Sequence, residues 1–262
     1  AFAFAIRGAD TLFRDGSEAT LEEVKTSNPN FDISLGRPLG NFAKVEFKYQ
    51  LGHQSFRRGD KTAEEFVLPT NHLNHELGLI AKYNRKGYRL RLEGSYHRRG
   101  DWNFWGLPGN TEYEDDDDTY TTWRVALGKT WHLPKFLKFG AELEYLDGSN
   151  LDRFSKFDFG TFSSVRVRGY QIGKIRADDA LAAHFNYGWN LGGALRLELL
   201  ADGAWATEEI SGLEHELLAG AGVAGTLVGP WSTLINVDLG FAVAGPDDGV
   251  TATIAVLKLF NK

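Results

Sequence analysis

Two arginines, a glycine and a tyrosine fall together in Val165-Arg166-Val167-Arg168-Gly169-Tyr170, inside the longest irregular segment of the chain, 147–178. Residues of this kind on a loop are more often functional than core residues are. The chemistry on offer is ionic. A guanidinium is a rigid fork of five donors that suits carboxylates, glycine allows a tight turn or a close backbone approach, and tyrosine adds apolar area with one polar end. The competing reading is a solvated basic loop. His53-Gln54-Ser55 offers a different chemistry, because a histidine beside a serine, with Asn71 on the neighbouring strand as a third group to orient the ring, has the residue types of a nucleophilic hydrolase. A rim histidine beside a serine is the simpler alternative. Glu112, Glu114 and Asp115 to Asp118 form an acidic run, but four consecutive aspartates without a glycine turn match no calcium loop and read as solvated charge. No glycine-rich phosphate loop, nucleotide fingerprint or His-rich metal spacing appears, so neither metal nor cofactor is expected.

The elements that must carry these residues are set by composition and period. The 262 residues suffice for one large all-β domain or two small ones. A net charge of -6 argues against a general nucleic-acid binder, and the absence of cysteine excludes disulfides and thiolate metal sites. No run of about 18 apolar residues could cross a bilayer as a helix. Ala1 opens the chain without methionine or a basic-then-apolar leader, as in a chain whose targeting segment has been removed.

The period is two throughout. In 44–51, Lys44, Glu46, Lys48 and Gln50 alternate with Val45, Phe47, Tyr49 and Leu51. The same split sets Leu90, Leu92 and Tyr96 against Arg91, Glu93 and His97, and Leu143 and Tyr145 against Glu142 and Glu144. It recurs in Leu195, Leu197 and Leu199 against Arg196 and Glu198, and in Val237 and Leu239 against Asn236 and Asp238. Segments of about ten residues with this dyad pattern mark a transmembrane β-barrel, apolar outside and polar within. A soluble sandwich also alternates, but here short turns near 37–40, 84–87, 132–134, 190–193 and 228–230 alternate strictly with longer links. The prediction is a single domain over 1–262, an all-β, twelve-stranded antiparallel transmembrane barrel in a bacterial outer membrane, both termini periplasmic. Its strands span 1–10, 30–37, 41–53, 71–83, 87–97, 119–132, 136–147, 178–190, 193–205, 213–227, 231–244 and 249–260, with the alternation weakest in the glycine- and alanine-rich tenth. Backbone groups cannot be left unpaired in hydrocarbon, so the first strand should close on the last. The two differ in length and pattern, which marks that seam as the weakest ladder and a lateral gate. Trp102, Trp105, Trp123, Trp131, Trp189, Trp205 and Trp231 fall near strand ends, as interfacial girdles do.

With five strands after it, Val167-Arg168-Gly169-Tyr170 resembles the loop motif of the BamA, TamA and FhaC superfamily of outer-membrane barrels, the bacterial surface antigen family. Those barrels insert or export proteins. Asp202-Gly203-Ala204 is similar to the family's Asp-x-Gly, and Phe260 to its terminal aromatic; the resemblance covers roughly 160–262. Ala204 replaces a family glycine, Asn186 stands near a frequent glutamate, and Asn261-Lys262 extend past the aromatic. Family barrels usually have sixteen strands preceded by POTRA domains, so the resemblance implies a short member lacking that module. It further implies a long loop folded into the lumen and a role in protein translocation, insertion or membrane remodelling, without enzymatic activity. The partners implied are outer-membrane lipids, lipopolysaccharide and a periplasmic client or partner, with no nucleic acid. In that setting Arg168 would reach into the lumen and pair with Asp202, which the alternation turns inward. His53-x-Ser55 also resembles the dyad of outer membrane phospholipase A, another twelve-stranded barrel, although Phe56 and Arg57 follow where that enzyme has asparagine and glycine. A passive pore is the third alternative.

Overall fold

The computed structural model describes residues 2–5, 9–10, 13–14, 17–18, 21–109, 118–135, 137–161, 163–171, 173, 175–208, 213–229, 233–245 and 249–258. Four short strands open the chain: β1 (Phe2–Ala5), β2 (Ala9–Asp10), β3 (Phe13–Arg14) and β4 (Ser17–Glu18). Six long ones follow, β5 (Val24–Leu39), β6 (Ala43–Arg58), β7 (His72–Arg85), β8 (Tyr88–Arg99), β9 (Thr119–Leu133) and β10 (Leu137–Ser149). A loop then carries β11 (Phe157–Gly160), β12 (Val165–Arg166) and β13 (Arg176–Ala177). Five long strands complete the chain: β14 (Asp179–Leu191), β15 (Leu195–Glu208), β16 (Leu213–Gly229), β17 (Thr233–Ala244) and β18 (Val250–Lys258). The eleven long strands form one antiparallel sheet in chain order, the arrangement that short turns impose on neighbouring strands. At the turn between β7 and β8, Lys86 and Gly87 both have positive φ, 51° and 81°, which matches the twist of a tight hairpin.

Register puts the apolar faces of all these strands on one side. Leu90, Leu127 and Leu143 lie in one cross-strand row, and Leu199, Val223 and Leu239 in another. All but Leu90 are exposed. An apolar band of this extent exceeds what water-facing surfaces carry. The opposite face bears the charges, joined across neighbouring strands as in Lys48–Glu76 (3.1 Å) and Arg124–Glu144 (3.1 Å), or over Gly128 of the strand between as in Arg89–Glu142 (3.2 Å).

Four expectations need correction. The predicted strand at 30–37 runs from Val24 to Leu39 and its neighbour reaches Arg58, so the link predicted at 54–70 is shorter. The outward apolar pattern stops first, at Lys25, Ser27, Ser55 and Arg57, while the inward side stays buried through Val24, Thr26 and Phe56; an outward apolar face ends before the backbone ladder does. The first predicted strand, 1–10, is broken, with Phe2–Ala5 on Asn28–Phe31 and Ala9–Asp10 on Val24–Lys25. Among the described residues no ladder joins β1 to β18, so the predicted closing pairing, and with it a twelfth full-length strand, is not formed there; β1 has only four residues and Phe260 lies outside the described residues. Finally, Trp102 and Trp105 do not face outward. They are buried with Val24, Phe56 and Phe66 in a cluster over the loop-side end of β5 to β8, against which Phe154 packs. Trp123, Trp131 and Trp205 are exposed as a girdle requires, and Trp231 lies outside the described residues.

Truncating Trp105, which is fully buried, removes a large fraction of that cluster. Trp105→Ala should destabilise this cap by about 3–5 kcal/mol, seen as faster proteolysis within 59–71 and 100–107 while the strand signal in circular dichroism persists. Unchanged cleavage would mean that the cluster does not hold these loops.

Candidate functional site

The 150–178 loop is held by its own small fold. β11 pairs in parallel with β12 and antiparallel with β13, and Phe157, Phe159, Val165, Val167, Tyr170 and Ile175 bury against Ala180, Ala182, Ala204, Ala206 and Leu218 of β14 to β16. Small inward residues on those strands leave the depth that the loop's larger side chains fill. The two valines of the motif thus point into this core, and the arginines that alternate with them point to the charged wall.

Arg168 is only 5% exposed. Its Nη1 lies 2.5 Å from Asp202 Oδ2, its Nε 3.2 Å from both carboxylate oxygens of Asp238, and its Nη2 3.1 Å from Asp238 Oδ2. Burial opposes its charge, but the Asp238 hydrogen bonds and the Asp202 charge outweigh that, so its pKa is raised. A buried guanidinium is tolerable on these terms: two carboxylates share it, and the bonds are charge-assisted. Asp202 has further partners. His184 Nδ1 lies 3.0 Å and Arg166 Nε 3.4 Å from its Oδ1. On its other side His184 Nε2 is 3.7 Å from Glu144, which Arg124 pairs at 3.1 Å while donating to Ser164 O at 2.8 Å. The network therefore ties β9, β10, β14, β15 and β17 to one loop.

Gly169 and the wall opposite it are matched in size. Gly169 has φ +88°, and a Cβ there would strike the backbone of Phe241 and Ala242. Across the contact, a Cβ on Gly220 would meet the Arg168 backbone, and one on Gly222 or Gly240 would meet the Arg168 side chain. The amide of Gly169 donates to Thr251 Oγ1 at 3.2 Å, and the Tyr170 hydroxyl donates to Ala244 O. The loop backbone thus rests on a floor of glycines from β16 and β17. This accounts for the weak alternation of the glycine- and alanine-rich strand.

The base of the loop has a second anchor. Arg99 and Asp152 are both buried and meet at 2.5 and 3.1 Å, with the Arg99 guanidinium 4.2 Å above the Trp102 ring and 4.5 Å from that of Tyr120. Arg153 donates to Glu22 O at 2.8 Å.

Arg168, Gly169, Tyr170 and Asp202, which the sequence singles out, meet in one site together with Val167 of the loop core. Asp238, His184 and the Arg99–Asp152 pair are not among the residues it singles out. Asp238 was legible as an inward carboxylate, and Gly220 and Gly222 as glycines two apart on one strand face; nothing in the sequence linked either to the motif. Ala204 stands 1% exposed in the loop core, and Asn186 donates to Glu198 Oε1 at 3.0 Å. The hydrolase residues are not assembled. Ser55 Oγ contacts Ser27 O at 3.5 Å, Asn71 Oδ1 accepts from the Phe56 amide at 2.7 Å, and no hydrogen bond joins either to His53 among the described residues. Of the acidic run only Asp118 lies within the described residues, and it approaches Arg98 at 4.0 Å.

If Arg168 and Asp202 act as one unit, each single alanine substitution takes a main partner from the other charge, leaving Arg168 with Asp238 alone or Asp202 with His184 and Arg166. Breaking one side of a buried pair costs about 3–5 kcal/mol, less in a wet cavity. Arg168→Ala and Asp202→Ala should each lower the heat resistance of the folded form on gels, and the double variant should be no worse than either single. Additive losses would separate the two residues.

No family model and no curated protein matches the chain. Among solved structures it is similar to CdiB from Escherichia coli (TM-score 0.63, 16% identity, covering 89% of this chain and 46% of that one) and CdiB from Acinetobacter baumannii (0.62, 14%, 89% and 42%). It is also similar to BamA from Haemophilus ducreyi lacking POTRA domains 1–3 (0.60, 12%, 93% and 56%). The chain spans about half the length of these structures. An antiparallel sheet of eleven long strands, apolar on one face and carrying a long loop on the other, has the fold of CdiB and BamA.

Proposed function

We propose that residues 1–262 form one barrel domain of the BamA and FhaC superfamily in a bacterial outer membrane, with both termini on the periplasmic side, taking part in protein translocation, insertion or membrane remodelling. The observation that carries this reading is Arg168, drawn from a Val-Arg-Gly-Tyr loop onto Asp202 and Asp238 over a glycine floor. A static strut would need only the apolar contacts of the loop. A charged latch shared between two carboxylates on separate strands is an arrangement whose strength changes when those strands shift, and this suits a loop that senses the state of the barrel. The outward apolar band supports contact with lipid, and the inward charges support a wet lumen into which the loop folds. Lipids, lipopolysaccharide and a separate periplasmic protein that delivers clients to the short-turn rim are the partners in this reading. The seam between β1 and β18 is the place where the wall would open, because among the described residues β1 contributes only four.

Two measurements test it. In planar bilayers the intact protein should conduct little and intermittently, and deletion of 160–172 should raise conductance severalfold; a steady large conductance indifferent to the deletion would make it a passive pore. Paired cysteines across β1 and β18, at Phe4 and Ile254 and at neighbouring registers, should crosslink and abolish the effect of the protein on envelope composition in its host, with recovery on reduction. Full function in the crosslinked state would remove the gate.

A further inference from the structure

Five exposed residues that can carry positive charge lie on the outward face of the sheet, spread over the loop-side ends of β5 to β8. Register places Lys25 directly opposite Arg57 and His75 directly opposite Arg98, with His53 between the two pairs. All five are exposed. Lys25 and Arg57 are like charges facing each other across a ladder, and these repel, so the arrangement suits an anion. The protein's own carboxylates supply little: Asp60, itself 88% exposed, pairs with Lys25 at 2.8 Å, and Asp118 stops 4.0 Å from Arg98. The Arg57 guanidinium meets no carboxylate among the described residues. His75 is oriented by Tyr49, whose hydroxyl lies 2.8 Å from Nδ1, and this leaves Nε2 for an incoming oxygen.

The position of the cluster narrows the ligand. On the same outward face, the next positions toward the turns are Leu51, Leu77 and Tyr96, where the apolar band begins. His53, His75 and Arg98 stand one row above this band, and Arg57 and Lys25 two rows further toward the loops, beyond Ser55 and Ser27; basic side chains just above an apolar band lie at the level of lipid headgroups. The rest of the rim differs: the outward loop-side ends of β9, β10 and β14 carry Thr119, Thr121, Asp147 and Asp179, and no outward lysine or arginine stands at the loop-side ends of β9 to β18 among the described residues. The attraction is therefore confined to one sector of the wall.

We infer that the outward face of β5 to β8 at the loop-side rim is a docking site for the phosphate groups of a phosphorylated saccharide lipid of the outer leaflet, held by Arg57, Arg98 and Lys25 with His53 and His75 beside them. The inference rests on the outer-membrane reading above, with the loop-side rim turned to the outer leaflet. The detergent-folded full chain would be mixed with diphosphorylated lipid A, with the same lipid after removal of its phosphates, or with phosphatidylglycerol, and retained lipid read by native mass spectrometry. The intact chain should keep the diphosphorylated lipid, and R57Q/R98Q should lose about tenfold of that retention. R57K/R98K should keep most of it, and K129Q, at the turn-side rim, all of it. Equal retention by the intact chain and R57Q/R98Q, retention that ignores the phosphates, or equal capture of phosphatidylglycerol would each overturn the assignment. Heat-modifiable migration of the same intact preparation tests the barrel reading separately, so the two can fail independently.

Discussion

A guanidinium withdrawn from water must find carboxylates, and in this chain that requirement fixes where a long loop lies. Arg168 can be buried only where Asp202 and Asp238 both reach it, and these stand on different strands of the sheet, β15 and β17. Their spacing is set by the intervening β16, which crosses beneath the arginine with Gly220 and Gly222. Sheet register, glycine placement and charge position are thus one constraint. A side chain on that floor would lift the loop and strand three charges, and without the charges a floor of glycines would be a weak stretch of sheet with no compensating contact.

The loop is more than a carrier for one arginine. Its valines alternate with its arginines, so the same extended run that delivers Arg166 and Arg168 to the charged wall turns Val165 and Val167 into a core shared with β14 to β16. Its base is held separately, by Arg99 and Asp152 inside an aromatic cluster that belongs to β5 to β8 and their connections. One segment is thereby anchored at its base to early strands and at its tip to late ones. A sheet of eleven strands twists strongly and has to curl, and such a crossbar fixes how far its two ends stand apart. Loop and wall therefore cannot change independently.

The charged face follows a different rule from the loop site. Along β6 to β10, cations and carboxylates on adjacent strands neutralise each other in short ladders such as Lys48–Glu76 and Arg124–Glu144. These are partly exposed and individually weak. They keep the charged face nearly neutral. Around Arg168 the charges are buried, and there geometry decides whether the pair stabilises or destabilises. The uncompensated basic sector on the outward rim stands apart from both patterns.

Period two with one apolar face determined most of this protein's architecture from the sequence, because a strand's side chains alternate whatever its neighbours are, and the alternation of short turns with long links fixed antiparallel neighbours in chain order. The motif, its glycine and Asp202 were legible for the same local reason. Strand ends were less so: beyond Lys25 and Ser55 the outward face turns polar while the inward side stays buried, and only the pairing of β5 with β6 reveals that the ladder continues. Tertiary structure alone decided that Trp102 and Trp105 turn inward, that Asp238 joins Asp202 on one guanidinium, and that Gly220, Gly222 and Gly240 form a seat for the loop. Each of these is a contact between residues tens of positions apart, and the sequence specifies the partners of such a contact without specifying that they meet.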